Sequence, residues 1–265
     1  MHKAVRHPTI LPGIDAISIK SDRTFPRHSH DEFGFGYIAM GGQDSWSGRG
    51  LVEARAGNTI TVNPGELHDG IGRQGQPRHW RMLYFSPAAL AVFTEVPVRS
   101  AEFALPVNTS KQALRLAIHA IAAVIKDMPD RDHAEQLVML ALAEQLKPIH
   151  SSNTVANSVR SIEVQTVLDM ICQNWEAPLS LDDFSIATGL SKFQILRRFS
   201  HELGATPHAY LTQHRVKRAK EMIMVGSSLA ETAVTCGFSD QSHLTRTFSR
   251  QFGLTPSRFA KRCVR

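Results

Sequence analysis

Cysteine is scarce in this chain, and the first 171 residues have none. The three present, Cys172, Cys236 and Cys263, show no paired spacing. A disulfide scaffold is therefore excluded, as is a thiolate-based metal sensor or methyl acceptor in the front part. The thiols read as reduced, which makes the cytoplasm the expected location. No apolar run approaches the length of a membrane span. The opening MHKAVRHPTI lacks the apolar stretch of a secretory signal, so no membrane partner is expected. Net charge is also missing over most of the length: residues 1–174 hold 17 Lys and Arg against 17 Asp and Glu. The whole excess of +6 lies in residues 175–265, with 13 basic and 7 acidic side chains. Such a local excess is the footprint of a phosphate-contacting domain. A length of 265 residues with a 42% apolar share allows two domains, each with its own core.

What is there, above all, is a repeat. Leu181–Tyr210 reads LDDFSIATGLSKFQILRRFSHELGATPHAY, and Leu229–Phe259 reads LAETAVTCGFSDQSHLTRTFSRQFGLTPSRF. Gly189-Leu190-Ser191 aligns with Gly237-Phe238-Ser239 and, after one inserted residue, Arg197, Phe199, Gly204 and Thr206-Pro207 align with Arg246, Phe248, Gly253 and Thr255-Pro256. Each copy has helix-turn-helix grammar. A short helix (Leu181–Thr188, Leu229–Cys236) ends at a Gly, which takes a positive φ cheaply. A Ser two residues later, Ser191 or Ser239, is the expected N-cap of the next helix. Small residues, Ser185 and Ala233, sit where steeply crossing helices need close approach. Ile195, Phe199, Leu203 and Leu244, Phe248, Phe252 recur at helical spacing and predict the buried stripe. The opposite face carries Phe193, Leu196, Arg197 and Ser200 in one copy, and Gln241, Ser242, Thr245, Arg246 and Ser249 in the other. Polar and basic side chains at the start of a second helix suit base-edge reading in a major groove. A helix from Thr206-Pro207 to about Val225 joins the copies. At roughly 1.5 Å per residue it spans about 27 Å, against a major-groove repeat of about 34 Å.

The motifs GLS…RRF…LG.TP and GF.D.S….F…FG.TP resemble those of the AraC/XylS-type bacterial transcription regulators, over the last third of the chain. The resemblance implies double-stranded DNA and RNA polymerase as partners. It puts groove contacts on Phe193, Gln194, Leu196 and Arg197 in the first motif and on Gln241, Ser242, Thr245 and Arg246 in the second. Two positions depart from the family pattern. Arg198 stands where an apolar residue is common, so its side chain is expected to reach phosphate. Leu196 replaces a polar reader, which limits base reading there to a thymine methyl.

From about Ile14 to Ser86 short β-branched or aromatic runs, broken by Gly and Pro, predict an all-β barrel or sandwich. Ala16–Lys20, Gly34–Met40, Thr59–Asn63 and Arg81–Phe85 are examples. HSHDEFGFGYIAMGG (His28–Gly42) and AGNTITVNPGELHDG (Ala56–Gly70) look like the paired motifs of a cupin barrel, in the form AraC-type regulators use to sense small molecules. His28 and His30 are expected to alternate along a strand and share a face, with His68 as a third imidazole. In metal-loaded cupins a Glu follows the second His by three or four places. Here Phe33 and Gly34 hold those places, and the acid is displaced to Glu32, beside Asp31. Three readings of the cluster stay open: contact with an organic effector, histidines satisfied by backbone, and a metal site. Because the acid is displaced, no stoichiometric metal and no cofactor are expected. Candidate effector-binding residues are His28, His30, Glu32, Tyr37, Trp46 and His68, with Arg49, Asn63 and Trp80 added by proximity. Asn63–Glu66, NPGE, reads as an architectural turn.

Lys111–Lys126 and Asp132–Lys147 read as helices broken by Met128-Pro129-Asp130. The second is apolar nearly all round, so it should be buried on more than one side. One side would meet the barrel, and the other either a second subunit or more of the same chain. Ser151–Ser158, SSNTVANS, is the natural linker, and a helix starting near Val159 should lead onward. The expected architecture is α+β with two domains. A cupin-like sensor with a helical dimerisation segment occupies residues 1–150, a linker 151–160, and an all-α domain with two helix-turn-helix motifs 161–265. The expected function is a sequence-specific, homodimeric regulator, an activator under small-molecule control and no enzyme. The alternatives are a metal-dependent cupin enzyme with a helical appendage and a regulator that takes no effector.

Overall fold

Strands buried on both faces form the centre of the front half. The computed structural model describes residues 1–48, 50–94, 97–125, 130–148 and 160–260, which fall into the units Met1–Ser151 and Ser152–Ala260. The first unit opens with β1 (His2–His7), β2 (Ile14–Ser21), β3 (Phe25–His28), β4 (Phe33–Met40), β5 (Gly42–Ser47) and β6 (Gly50–Arg55). It continues with β7 (Thr59–Val62), β8 (His68–Gly70), β9 (Arg78–Phe85), α1 (Pro87–Phe93), β10 (Ala101–Phe103) and β11 (Val107–Asn108). It closes with α2 (Lys111–Val124), α3 (Arg131–Gln145) and β12 (Leu146–Pro148). The main antiparallel sheet runs β1-β2-β9-β4-β7-β11, and β3-β8, β5-β6 and β10-β12 form two-stranded ribbons. This is a cupin-like, sheet-rich domain followed by a helical one.

The alternation of β4 divides its two faces. Phe33, Phe35 and Tyr37 join Leu83 and Phe85 of β9 in a core with Ala117, Ala120 and Ile121 of α2 and Val138 and Leu142 of α3. Phe35 stacks on Phe85 at 5.5 Å between ring centroids. Burying one such phenylalanine contributes about 1.5–3 kcal/mol. The other face of β4 carries Gly34 and Gly36. A Cβ at Gly36 would lie 1.9 Å from the Arg81 carbonyl oxygen, and one at Gly34 2.9 Å from the Tyr84 ring. The two glycines let β4 and β9 close on each other while Met82 and Tyr84 occupy the inner face.

β1 precedes the point where the sequence pattern begins, because HKAVRH buries only Ala4 and shows no apolar alternation. It pairs with β2 from His2↔Ser21 to His7↔Ala16. α2 and α3 lie close to their expected bounds, while Met128 and Pro129 of the expected break lie outside the described residues. Despite its composition, α3 is buried on one side within the chain: Ala134, Val138, Ala141 and Leu142 face the core. Met139 and Leu140 are 41% and 55% exposed, and Ile118 on α2 is 37% exposed.

The second unit contains α4 (Ile162–Gln173), α5 (Leu181–Thr188), α6 (Lys192–Leu203), α7 (Pro207–Met224), α8 (Leu229–Thr235), α9 (Gln241–Phe252) and α10 (Pro256–Ala260). α4 starts at its Ser161 cap, later than the expected start near Val159, which lies outside the described residues with the SSNTVANS segment and Cys263. Cys172 and Cys236 are free thiols. Val164, Val167, Leu168 and Ile171 of α4 pack with Phe184, Ile195, Phe199 and Leu211 into the core of the first motif. Among the described residues no helix is long and apolar enough to cross a membrane.

Candidate DNA-reading helices and sensor pocket

α5 ends at Gly189 with φ 70°, and Ser191 then caps α6. The Ser191 hydroxyl accepts from the Gln194 amide at 3.3 Å, and the Gln194 side-chain oxygen accepts from the Ser191 amide at 2.9 Å. Gln194, a candidate groove reader, thus spends its oxygen on the cap, and its side-chain amide hydrogens remain for a base edge. In the second motif the cap is Asp240, not the expected Ser239: its carboxylate accepts from the His243 amide at 2.7 Å. Asp240 stands where Ser191 stands in the first motif, so the extra residue lies in the turn before the cap. The Asp240 carboxyl is held below the usual range, chiefly by that backbone hydrogen bond.

Both second helices bury the expected stripe. Ile195 and Phe199 are buried in α6, and Leu244, Phe248 and Phe252 in α9, while Leu203 is half-buried. Phe193 is 72% exposed. Gln194, Arg197, Gln241, Ser242 and Arg246 are also exposed, and Leu196 and Thr245 are half-buried. The candidate readers therefore share the solvent side of two helices in equivalent register. Arg198 departs from its expected role: its guanidinium pairs with Glu163 of α4 at 2.8 Å and so braces α6 against α4.

One important residue was not singled out by pattern. Arg215, midway along α7, donates to the carbonyls of Trp175 at 2.7 Å, Ala177 at 2.8 Å and Gly237 at 2.9 Å. Trp175 and Ala177 precede α5, and Gly237 is the turn between α8 and α9. One guanidinium therefore ties both motifs to the connecting helix. A basic residue in HRVKRAK looks like any solvated lysine or arginine, so periodicity gives no sign of it.

The sensor histidines do converge. His28 and His68 are cross-strand partners on β3 and β8, with ring centroids 4.5 Å apart. His30 lies past the end of β3, not on the strand as expected, yet its ring is 4.8 Å from His28 and 5.0 Å from His68. A backbone bond from the Gly65 amide to the His30 carbonyl, 2.7 Å, holds the NPGE turn beside it. The nearest ligand atoms of the three imidazoles lie within 4.8 Å of one another. His28 Nδ1 sits 2.7 Å from the Pro26 carbonyl and His68 Nδ1 3.0 Å from the Glu66 carbonyl. A carbonyl only accepts, so both Nδ1 atoms carry hydrogen and Nε2 is the lone-pair nitrogen of each neutral ring. Burial, reinforced by His68, depresses His28 to about 3, and burial lowers His68 as well. The Tyr84 ring meets His30 edge-on at 5.3 Å. Burial first, and Glu32 second, push the Tyr84 hydroxyl above its usual range.

The other pocket candidates separate. Glu32 is half-buried two residues beyond His30, and its charge helps to raise the Tyr84 hydroxyl. Tyr37 faces the α2–α3 core, on the side of β4 opposite the glycines. Trp46 lies under the Arg27 guanidinium at 4.1 Å, and its amide donates to Asp69, next to His68. Asn63 is architectural, exchanging two hydrogen bonds with the Phe103 backbone at 3.1 and 2.8 Å. Trp80 packs edge-on against Phe25, and Arg49 lies outside the described residues. Beside Trp80 is the fully buried Arg78, which donates to the Gly70 and Arg23 carbonyls and the Gln43 side chain. Burial lowers it to about 10.

A barrel with an inner polar cluster, followed by paired helix-turn-helix motifs, defines a class in which a sensor and a DNA reader share one chain. The profile of the AraC-like ligand binding domain matches residues 11–146, and that of a helix-turn-helix domain matches residues 184–262. The chain belongs to the AraC family of DNA-binding transcription regulators. It is similar to the HTH-type transcriptional regulator YbfI of Bacillus subtilis, 28% identical over 226 residues, which covers 83% of this chain and 81% of that protein. With the HTH-type transcriptional regulator MtrA of Neisseria gonorrhoeae it is 27% identical over 99 residues, 37% of this chain but only 32% of that protein. A solved AraC-type regulator from Chromobacterium violaceum is 30% identical, covers 38% of this chain and 92% of that one, and has a TM-score of 0.36.

Proposed function

We propose that the chain is a cytoplasmic transcription activator that binds its operator as a homodimer and responds to a small effector in the barrel. The sensor and dimerisation part is residues 1–150, the linker 151–160 and the reader 161–265. α6 reads one groove face through Phe193, Gln194, Leu196 and Arg197. α9 reads another through Gln241, Ser242, Thr245 and Arg246. The effector meets His28, His30, Glu32 and His68, with Trp46 held beside them through Asp69. RNA polymerase is the partner that turns occupancy into transcription, and no catalytic step is assigned to the barrel.

The observation that carries this reading is the equivalence of the two exposed rows. The buried stripes Ile195/Phe199 and Leu244/Phe248 orient α6 and α9 alike, so Arg197 and Arg246 present the same donor fork on both. The exposed face of α3, with Met139 and Leu140, supports the homodimer. Nuclease protection on promoter DNA, with and without candidate metabolites, is the test. Two protected segments one helical turn apart per bound chain are expected, with an effector changing occupancy. Uniform, sequence-independent protection would defeat the reading.

A further inference from the structure

The two second helices match in register but not in chemistry. Counted from their caps, Ser191 and Asp240, Phe193 stands where α9 has Ser242, and Leu196 where it has Thr245. Arg197 and Arg246 coincide. Two hydroxyl positions of α9 are thus hydrocarbon in α6. Phe193 is 72% exposed, so the fold leaves most of its ring in water. Leu196 is half-buried and three residues further on, which puts it beside Phe193 on the helix surface. The capping box adds a second constraint. The Gln194 side-chain oxygen already accepts from the Ser191 amide at 2.9 Å, so its two N–H groups are what remains for a base. The row Phe193, Gln194, Leu196 and Arg197 therefore presents hydrocarbon and hydrogen-bond donors, with its one side-chain acceptor engaged.

We propose that α6 is a thymine reader, which selects its segment of the operator by 5-methyl groups, whereas α9 reads by hydrogen bonds. In the major groove thymine alone sets a C5 methyl beside a carbonyl acceptor, O4. The methyl meets Phe193 and Leu196, and O4 accepts from Gln194. Cytosine offers neither: its N4 amino group sets donor against donor, and its C5 bears no methyl. Adenine and guanine have no methyl to bury. One methyl taken out of water against apolar side chains is a factor of about four in affinity. In α9 the cap bond is made by Asp240, which leaves Gln241 with both a donor and an acceptor, the pair that suits adenine. Two helices in equivalent register thus ask different questions of the groove. This inference rests on the reading of α6 as a groove helix, and it names the base that helix selects.

The test uses the full-length protein and a duplex that it selects from a random-sequence pool, with affinity read by fluorescence anisotropy. Each thymine in turn is replaced by uracil, which keeps the base pair and O4 and removes only the methyl. Affinity should fall about fourfold for each methyl that is read, at thymines confined to one of the two contacted segments. At those positions Phe193→Ala or Leu196→Ala should bind the thymine duplex more weakly and no longer tell it from the uracil one. Phe193 is exposed, so its variant carries the comparison should Leu196→Ala melt early. A parent indifferent to uracil at every position, or variants that distinguish the two bases as the parent does, would overturn the proposal. The outcomes also separate the two readings. A selected pool with no shared sequence takes the groove reading down with the thymine assignment, whereas a shared sequence indifferent to uracil removes the thymine assignment alone.

Discussion

Gly36 leaves no room for even a methyl group, since the carbonyl oxygen of Arg81 stands 1.9 Å from where its Cβ would be. That oxygen belongs to the backbone, so the strand itself would have to move. Gly36→Ala should cost about 1–3 kcal/mol as an overpacking change, read as a lower denaturant midpoint. An unchanged midpoint would mean that β4 and β9 pack less tightly than described. Arg197 and Arg246 make the contrasting case, exposed and separate from the core. Arg197→Ala and Arg246→Ala should each weaken operator binding by about 1–3 kcal/mol while leaving the melting temperature alone. Parent-like affinity in both variants would remove these residues from the reader. At this scale the sequence was legible where a residue repeats or completes a motif, as with Ile195 and Phe199 or the three histidines. It was silent where the role depends on which carbonyl a side chain reaches. Arg215, Arg198 and Tyr37 are all of that kind: nothing local in sequence says that Arg198 meets Glu163, or that Tyr37 faces helices and not the pocket.

Among the elements, α3 shows how composition can overstate burial. Its EQLVMLALAEQL run is apolar nearly all round, yet only the Ala134–Val138–Leu142 side meets the core. Met139 and Leu140 remain on the surface with Ile118, which is why the proposed homodimer is placed there. Leu140→Glu should convert the dimer to monomer at micromolar concentration in sedimentation, with the fold retained, because a charge in an apolar contact stays unpaired. A parent that already sediments as a monomer, with and without DNA, would refute the contact. The helical elements were the more legible ones. Capping residues, glycines and a period near 3.6 set the limits of α5, α6 and α7 almost to the residue. The error at α9, where Asp240 displaces Ser239 as cap, came from an insertion that alignment alone could not place on one side of the cap or the other. β1 and the short ribbons were harder, since polar strands at a sheet edge carry no alternating signal.

For the whole molecule the separation of charge matters most. The neutral front and the basic last third imply that phosphate contact is the business of one unit. Operator affinity of the full chain should fall steeply with salt, with a log–log slope near −3.6 if about four phosphates are neutralised. A slope shallower than about −1 would deny the basic third its assigned role. The connecting helix has a further consequence, one of angular phase. Eighteen residues of α7, gripped by Arg215 at both motifs, make the two readers a single rigid gauge. Deleting one residue would turn the second reader by about 100° around the α7 axis and draw it in by about 1.5 Å. Adding seven would restore its facing to within about 20° while moving it about 10 Å along. If α6 and α9 are the readers proposed above, operators can vary in the bases they present, but the distance between the two reading frames is set by the length of one helix.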